Sequence, residues 1–142
     1  MGDKMKGEFF ALLAALCWGL CPIIEKKALE LTDSSTAIFI KSLMDFIIIS
    51  LIFASTGKIM TMKIDYRVLI YLTLVSLIAG ITGQYFFYKG LSMSSPSKVV
   101  VISSIYPFVT IMLSTLILGK MPSVKVWIGA ILIFIGVSLV VE

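Results

Sequence analysis

Histidine is absent from this chain of 142 residues, and charge of either sign is scarce, at 14% of all positions. Without imidazole there is no His-based acid–base catalysis and no His-ligated metal site. Cysteine is almost as rare: Cys17 and Cys21 are the two present. They lie one helical turn apart within an apolar stretch. Two ligands are too few for a metal, and a helix holds their Cβ atoms in poor disulfide geometry, so both read as packing thiols. No cofactor is expected. With so little polar surface to wet it, a water-soluble fold of this size is hard to build. The net charge of +4 does not point to nucleic acid either, because the basic residues cluster at the ends of apolar stretches.

What fills the chain is hydrophobic residues, 59% of the total. They form continuous runs at 9–24, 34–57, 68–88, 99–119 and 126–141. Each approaches or exceeds the roughly 17–25 residues that a helix needs to cross the hydrocarbon of a bilayer. Barrel strands would instead alternate lipid-facing and lumen-facing residues. In hydrocarbon every backbone N–H and C=O must find its partner internally, which leaves helices. The expected fold is all-α: a polytopic membrane protein of one domain, 1–142, with helices near 9–28, 34–57, 67–89, 97–119 and 124–141 joined by short loops. The start of the chain superficially resembles a signal peptide, with Lys4 and Lys6 before an apolar core. No small-x-small cleavage site follows, so the first stretch reads as a retained helix.

Five crossings put the two ends of the sequence on opposite sides of a membrane. Lys4, Lys6, Lys58, Lys63, Arg67, Lys120 and Lys125 then share one side, and Lys26, Lys27, Lys89 and Lys98 the other. The excess of positive charge places the amino terminus in the cytoplasm of a cell membrane. The bias is small, which permits insertion in either orientation.

Small and polar residues form a stripe at helical spacing in most of the spans. In the first it runs through Ala11, Ala15, Trp18, Pro22 and Lys26. The third offers Thr73, Ser76, Gly80, Gly83, Gln84 and Phe87, and the fourth Ser103, Pro107, Thr110 and Ser114. Gly129 and Gly136 in the fifth stand seven apart and nearly superpose on one face. Close helix packing explains such stripes in lipid, and it accounts for the two glycines of the fifth span. The other reading is that the faces bearing Trp18, Gln84 and Ser103 to Thr110 line a polar cavity. Pro107 cannot donate to the carbonyl of Ser103, so a kink is expected there, with an acceptor open to a neighbouring hydroxyl or to a substrate.

Four of the five runs hold no charged residue; the second holds Lys41 and Asp45, four apart on one face. A lone charge at the bilayer centre costs about 2.5–3.5 kcal/mol on insertion scales. Two opposite charges a turn apart offset part of that cost. They form either a self-neutralised structural pair or a substrate or proton site in which Asp45 titrates and Lys41 tunes it. Glu25, Lys26 and Lys27 sit at a helix end, where snorkelling accounts for them.

Several local patterns, in this order, carry a resemblance. Ala15-Leu16-Cys17-Trp18-Gly19 is followed by Lys26. Gly83-Gln84-Tyr85-Phe86-Phe87-Tyr88-Lys89-Gly90-Leu91 is an aromatic-rich stretch ahead of a small-residue loop. Residues 95–104, Pro107, Leu118-Gly119, Trp127-Ile128-Gly129-Ala130 and Gly136-Val137 complete it. The chain resembles an EamA domain, the five-helix unit of the drug/metabolite transporter superfamily, over essentially its whole length. The resemblance implies a carrier of small metabolites or drugs, often an exporter, in which two such units in opposite orientation enclose a central site. A chain with one unit would pair, as an antiparallel homodimer or as a heterodimer with a sister chain. The spacing of Gly129 and Gly136 also resembles the dimer-forming last helix of the small multidrug resistance transporters. Those transporters couple to protons through a glutamate in the first helix; Trp18 stands at that position, so their mechanism does not carry over. Many EamA members read Gly-Glu after the fourth helix, where this chain has Gly119-Lys120. Lys41 stands where the family is familiar with a basic residue, and the resemblance assigns Asp45 no role.

The function expected is therefore secondary transport of a small molecule by alternating access, as a dimer in the lipid bilayer. Trp18, Gln84, Tyr85, Ser103, Pro107 and Thr110 are the candidate cavity residues, Lys41 and Asp45 the candidate coupling pair, and Gly129 and Gly136 the helix or dimer packing positions. The alternative is a non-transporting membrane subunit that stabilises or regulates a larger complex. An enzyme is not expected: Lys41 and Ser42 are adjacent and point about 100° apart on a helix, which prevents a nucleophile–base dyad.

Overall fold

A computed structural model describes residues 2–57, 61–62, 64–119 and 121–141, with side chains from Lys6 onward. Lys58, Lys63, Lys120 and the side chain of Lys4, all used above for orientation, lie outside the described residues. Among the described residues, five helical spans are long and apolar enough to cross a membrane: Lys6–Leu29, Ser34–Ser55, Tyr66–Met93, Pro96–Leu118 and Val124–Val141. The all-α polytopic fold expected from the apolar runs is the fold observed. The chain forms two compact units, Met1–Met93 and Ser94–Glu142.

In the first unit, α1 runs Gly2–Leu29 and passes through Pro22 unbroken. Neighbouring helices can compensate such a proline in lipid, and Pro22 is buried. A tight turn follows, in which Thr32 N donates to the Ala28 carbonyl at 3.2 Å. Asp33 then caps α2, Ser34–Ser55. Its Oδ1 accepts from the amides of Ser35 (2.9 Å) and Thr36 (3.1 Å), while the Thr36 hydroxyl donates to Oδ2. Chiefly through the Thr36 hydroxyl and then the Thr36 amide, these bonds hold the Asp33 carboxyl below its ordinary range.

The third span is three pieces. Asp65 caps α3, Tyr66–Val75, through the Arg67 amide at 2.8 Å. The segment Ser76–Gly83 is π-helical, and α4, Gln84–Met93, continues from it. Ala79, Gly80 and Gly83 make the wider winding sterically open. At Gly83 a Cβ atom would stand 3.2 Å from the Ile78 carbonyl oxygen, so the absence of a side chain is used there. The expectation from sequence was an uninterrupted α-helix, and the clustering of small residues is what departs from it. α4 packs against both α1 and α2. Its buried residues, Tyr88 and Leu91, form the interior of this unit with Pro22, Ser34 and Ala37.

In the second unit, Ser95 caps α5, Pro96–Ser103, with Pro96 in the first turn, where its missing N–H costs nothing. The fourth span is interrupted at Ser104 and Ile105, and α6 runs Tyr106–Leu118. The break thus precedes Pro107, which lies in the first turn of α6. Proline cannot serve the Ser103 carbonyl and disfavours helical geometry in the residue before it, so the turn ahead of it tightens: Ile105 N bonds the Ile102 carbonyl at 3.3 Å. Gly119, at φ 62°, ends α6 in the left-handed conformation that glycine adopts without strain. The last helix, α7, is Val124–Val141 and packs on both α5 and α6. Phe108 holds it through Trp127 (centroids 6.4 Å apart, edge-on) and Phe134 (5.4 Å).

Candidate functional site

Polar groups from distant parts of the sequence meet in the first unit, where α1, α2 and α4 pack. Cys21, Glu25 and Ala28 recur at three- and four-residue spacing on one face of α1, and Ala37 and Lys41 do the same on α2. With Thr32 and Tyr88 they border an open cleft of about 340 Å3. Its walls are otherwise apolar, Ile24 and Ile40 among them. Tyr88 is only 3% exposed, and its hydroxyl donates to Glu25 Oε1 at 3.0 Å. A buried phenol needs such a partner, and the carboxylate needs such a donor where water is scarce. Lys26, one residue on, donates from Nζ to the Leu91 carbonyl at 2.6 Å and reaches the Ser92 carbonyl at 3.5 Å. A cation is favoured at those last carbonyls of α4, where the helix dipole is negative.

These two contacts correct the snorkelling account of Glu25 and Lys26: both side chains turn to α4. The signal available in sequence was the tyrosine itself, since a Tyr at the end of an apolar span has a hydroxyl to satisfy and Glu25 is one of few acceptors.

Lys41 and Asp45 form the ion pair their spacing suggests, Nζ to Oδ2 at 2.8 Å. Lys41 borders the cleft and Asp45 does not. Both side chains are about half exposed within this chain. The pair is therefore not enclosed by the described helices.

Tyr85 borders a second cleft of the same unit, about 330 Å3, with Ser35 and Ile38 of α2, Ile81 and Thr82 of the π-helical segment, and Phe86. Gln84 is half-buried and borders neither cleft; Trp18 is 66% exposed on α1 and likewise borders neither. Ser103, Pro107 and Thr110 belong to the second unit. There the hydroxyls are locally occupied: Ser103 and Ser104 donate to the Val100 carbonyl (3.0 and 2.7 Å), and Thr110 to that of Tyr106 (3.0 Å). A Cβ at Gly129 or Gly136 would meet nothing within 4 Å among the described residues. The buried positions of α7 are their neighbours Ala130 and Val137. Among the described residues, no neighbour stands against the two glycines.

A family model described as the EamA-like transporter family matches residues 5–142. Among curated proteins, the inner membrane transporter YhbE of Escherichia coli (strain K12) is 30% identical over 132 residues, covering 92% of this chain and 41% of that protein. The protein of that name in Shigella flexneri matches equally. A transporter of Archaeoglobus fulgidus is 27% identical over 130 residues, 92% of this chain and 46% of its own length. The chain thus spans less than half of each relative. No solved structure matches. The match over almost the whole length shows that the chain belongs to the EamA-like transporter family, as the Trp-Gly, aromatic and Gly motifs suggested, and it is a multi-pass membrane protein.

Proposed function

We propose that this EamA-family chain moves a small organic molecule across the cell membrane by alternating access, as one of two inverted five-helix units around a common path. The observation that carries the reading is the α1–α2–α4 cleft: a carboxylate, an ammonium and a phenol converge on an apolar recess within membrane-spanning helices. Ionisable groups inside a membrane are expensive and mark pathways. At about 340 Å3 the recess falls at the small end of the roughly 300–1,000 Å3 typical of ligand sites. Family membership supports transport rather than catalysis.

Inversion follows from the odd number of spans. A unit whose ends lie on opposite faces matches a second unit about a pseudo-two-fold axis only when one of them is turned over. A second copy or a sister chain would supply it, with Gly129 and Gly136, against which no described neighbour stands, available for contact. In this scheme Trp18, Gln84, Tyr85, Ser103, Pro107 and Thr110 face the path only once both units are assembled. The amino terminus is proposed to lie in the cytoplasm in at least one of the two orientations.

Reconstitution of the purified chain into proteoliposomes, with tracer uptake of small metabolites and drug-like amines, tests the reading. Uptake above that of protein-free vesicles is expected. No uptake, together with one stoichiometric foreign membrane protein in a pull-down, would show a non-transporting subunit instead. A reporter fused at the carboxyl end tests inversion: signal from both sides fits an antiparallel homodimer, and signal from one side requires a sister chain. Proton coupling through Asp45 predicts that Asp45→Asn abolishes the response of uptake to a pH gradient; an unchanged response removes Asp45 from that role.

A further inference from the structure

We infer that a second copy of this chain docks on α2 in inverted orientation, so that Lys41 and Asp45 of the two copies close a ring of four charges. This rests on the inverted-pair reading and names the surface through which the second unit is supplied. Ionisable groups within a span face protein rather than lipid, and they pair. Lys41 and Asp45 do pair, but the described residues of the first unit do not enclose them: their side chains are 44% and 53% exposed. Further along the same face, Ile48 and Ile52 are exposed as well. Asp45 stands ten residues from Ser55 and eleven from Ser34, about 15 Å or more along the axis from either end of α2. Its short side chain reaches neither headgroup layer.

The pair also has bonding capacity to spare. Lys41 Nζ donates to Asp45 Oδ2 at 2.8 Å, while Asp45 Oδ1 accepts no hydrogen bond among the described residues. An ammonium has three donors, so it can serve a second carboxylate besides its own. What completes the pair must therefore present an acid and a base together. The spans Pro96–Leu118 and Val124–Val141 contain Lys98 and Lys125 as their charged residues and no acid. The second unit of the same chain has no carboxylate in its spans to give.

A second α2 has both groups, and inversion puts them in the right order. Leu43 lies midway between Lys41 and Asp45 and within two residues of the centre of Ser34–Ser55. A two-fold axis in the membrane plane at that level brings Lys41 of each copy level with Asp45 of the other. In a ring of alternating sign, opposite charges are edge neighbours and like charges stand on the longer diagonal, so attraction wins. Parallel helices would instead set Lys41 against Lys41. Ser34 and Ala37, earlier on this face, are buried in their own unit. The two helices therefore cross at the charged turn rather than lie side by side.

Reversing the pair within one chain, Lys41→Asp with Asp45→Lys, tests the ring. Two reversed copies still match each other, and each keeps its own couple along α2. A reversed copy beside an unaltered one sets ammonium level with ammonium and carboxylate level with carboxylate. Full chains of both kinds, differently tagged, are co-expressed, purified in mild detergent and captured by one tag. Random assortment makes about half of all dimers mixed; the mixed fraction should fall at least about fivefold below that, while each chain alone stays dimeric. Random mixing, an excess of mixed dimers (the mark of parallel α2 helices) or a monomer each overturns the inference. If the reversed chain does not fold, Lys41→Met with Asp45→Leu takes its place. Apolar side chains gain little from leaving lipid for protein, so dimers of that chain should dissociate about tenfold more readily on dilution. Unchanged dissociation overturns the inference. Selective pairing without flux in vesicles overturns the transporter reading alone. Flux from a monomer, or from dimers that mix at random, overturns this inference alone.

Discussion

Both units quiet some hydroxyls against nearby carbonyls, as Ser55, Thr56 and Ser92 do in the first, but the first unit adds bonds between distant helices. In the second unit the hydroxyls of Ser103, Ser104, Thr110, Thr115 and Ser138 each donate to a carbonyl three or four residues back on their own helix. Such bonds quiet a side chain without linking one helix to another. What holds α7 there is ring packing around Phe108. In the first unit two polar side chains reach across the fold: Tyr88 to Glu25, 63 residues away, and Lys26 to Leu91, 65 residues away. Local satisfaction makes an inert surface. Long-range satisfaction makes a place where charge is held, and the cleft lies there.

Breaking the charged features of the first unit should therefore cost far more than silencing hydroxyls of the second. The largest effect is expected from Lys41→Met, which leaves the Asp45 carboxylate alone within a span and should impair insertion or stability by about 3 kcal/mol. The double change Lys41→Met with Asp45→Leu should recover most of the loss. Denaturant titration in mixed micelles reads both, and a double variant no better than the single would show that the pair is not coupled. Next comes Tyr88→Phe, which strips Glu25 of its donor and should cost about 2 kcal/mol, the scale of a hydrogen bond to a charged group. Ser103→Ala and Thr110→Ala, measured in the same way, should each stay within about 0.5 kcal/mol. Equal effects in the two units would dissolve the contrast.

The smallest effect concerns the Asp33 cap, which is exposed. A carboxyl held below its ordinary range contributes stability that is complete above about pH 4, the region of its unfolded value. That contribution is lost as pH falls through the lower folded value. Asp33→Asn keeps an acceptor for the Ser35 and Thr36 amides and should flatten this acid dependence. Thermal unfolding at pH 5 and pH 3 would show it, and an unflattened profile would assign the acid loss to other carboxyls.

The helices were legible because each is specified by its own run. Residues 34–55 need no partner to be helical in lipid, since all their backbone bonds close within the segment. Asp33, Asp65 and Ser95 mark helix starts by chemistry that is equally local. The spacing of Lys41 and Asp45 likewise announced their pairing. Other features were hidden because they depend on neighbours. Glu25 and Lys26 look like ordinary helix-end charges until α4 is set beside α1. That Ala130 and Val137 are the buried positions of α7 among the described residues also depends on the helices beside it. The π-helical winding of Ser76–Gly83 depends on whether small residues are used for close packing or for a wider turn, and composition permits both.

The amino-acid sequence alone determined that this is an all-helical membrane protein with five spans and family motifs in order, because run length and composition decide helix formation wherever water is excluded. Only the tertiary structure decided which charges matter. Glu25 is tied to the Tyr88 hydroxyl of α4, and Lys41 to Asp45 along α2, through distances of about three ångströms between side chains. In a medium of low polarity, electrostatic energy is set by those separations rather than by the residue types present.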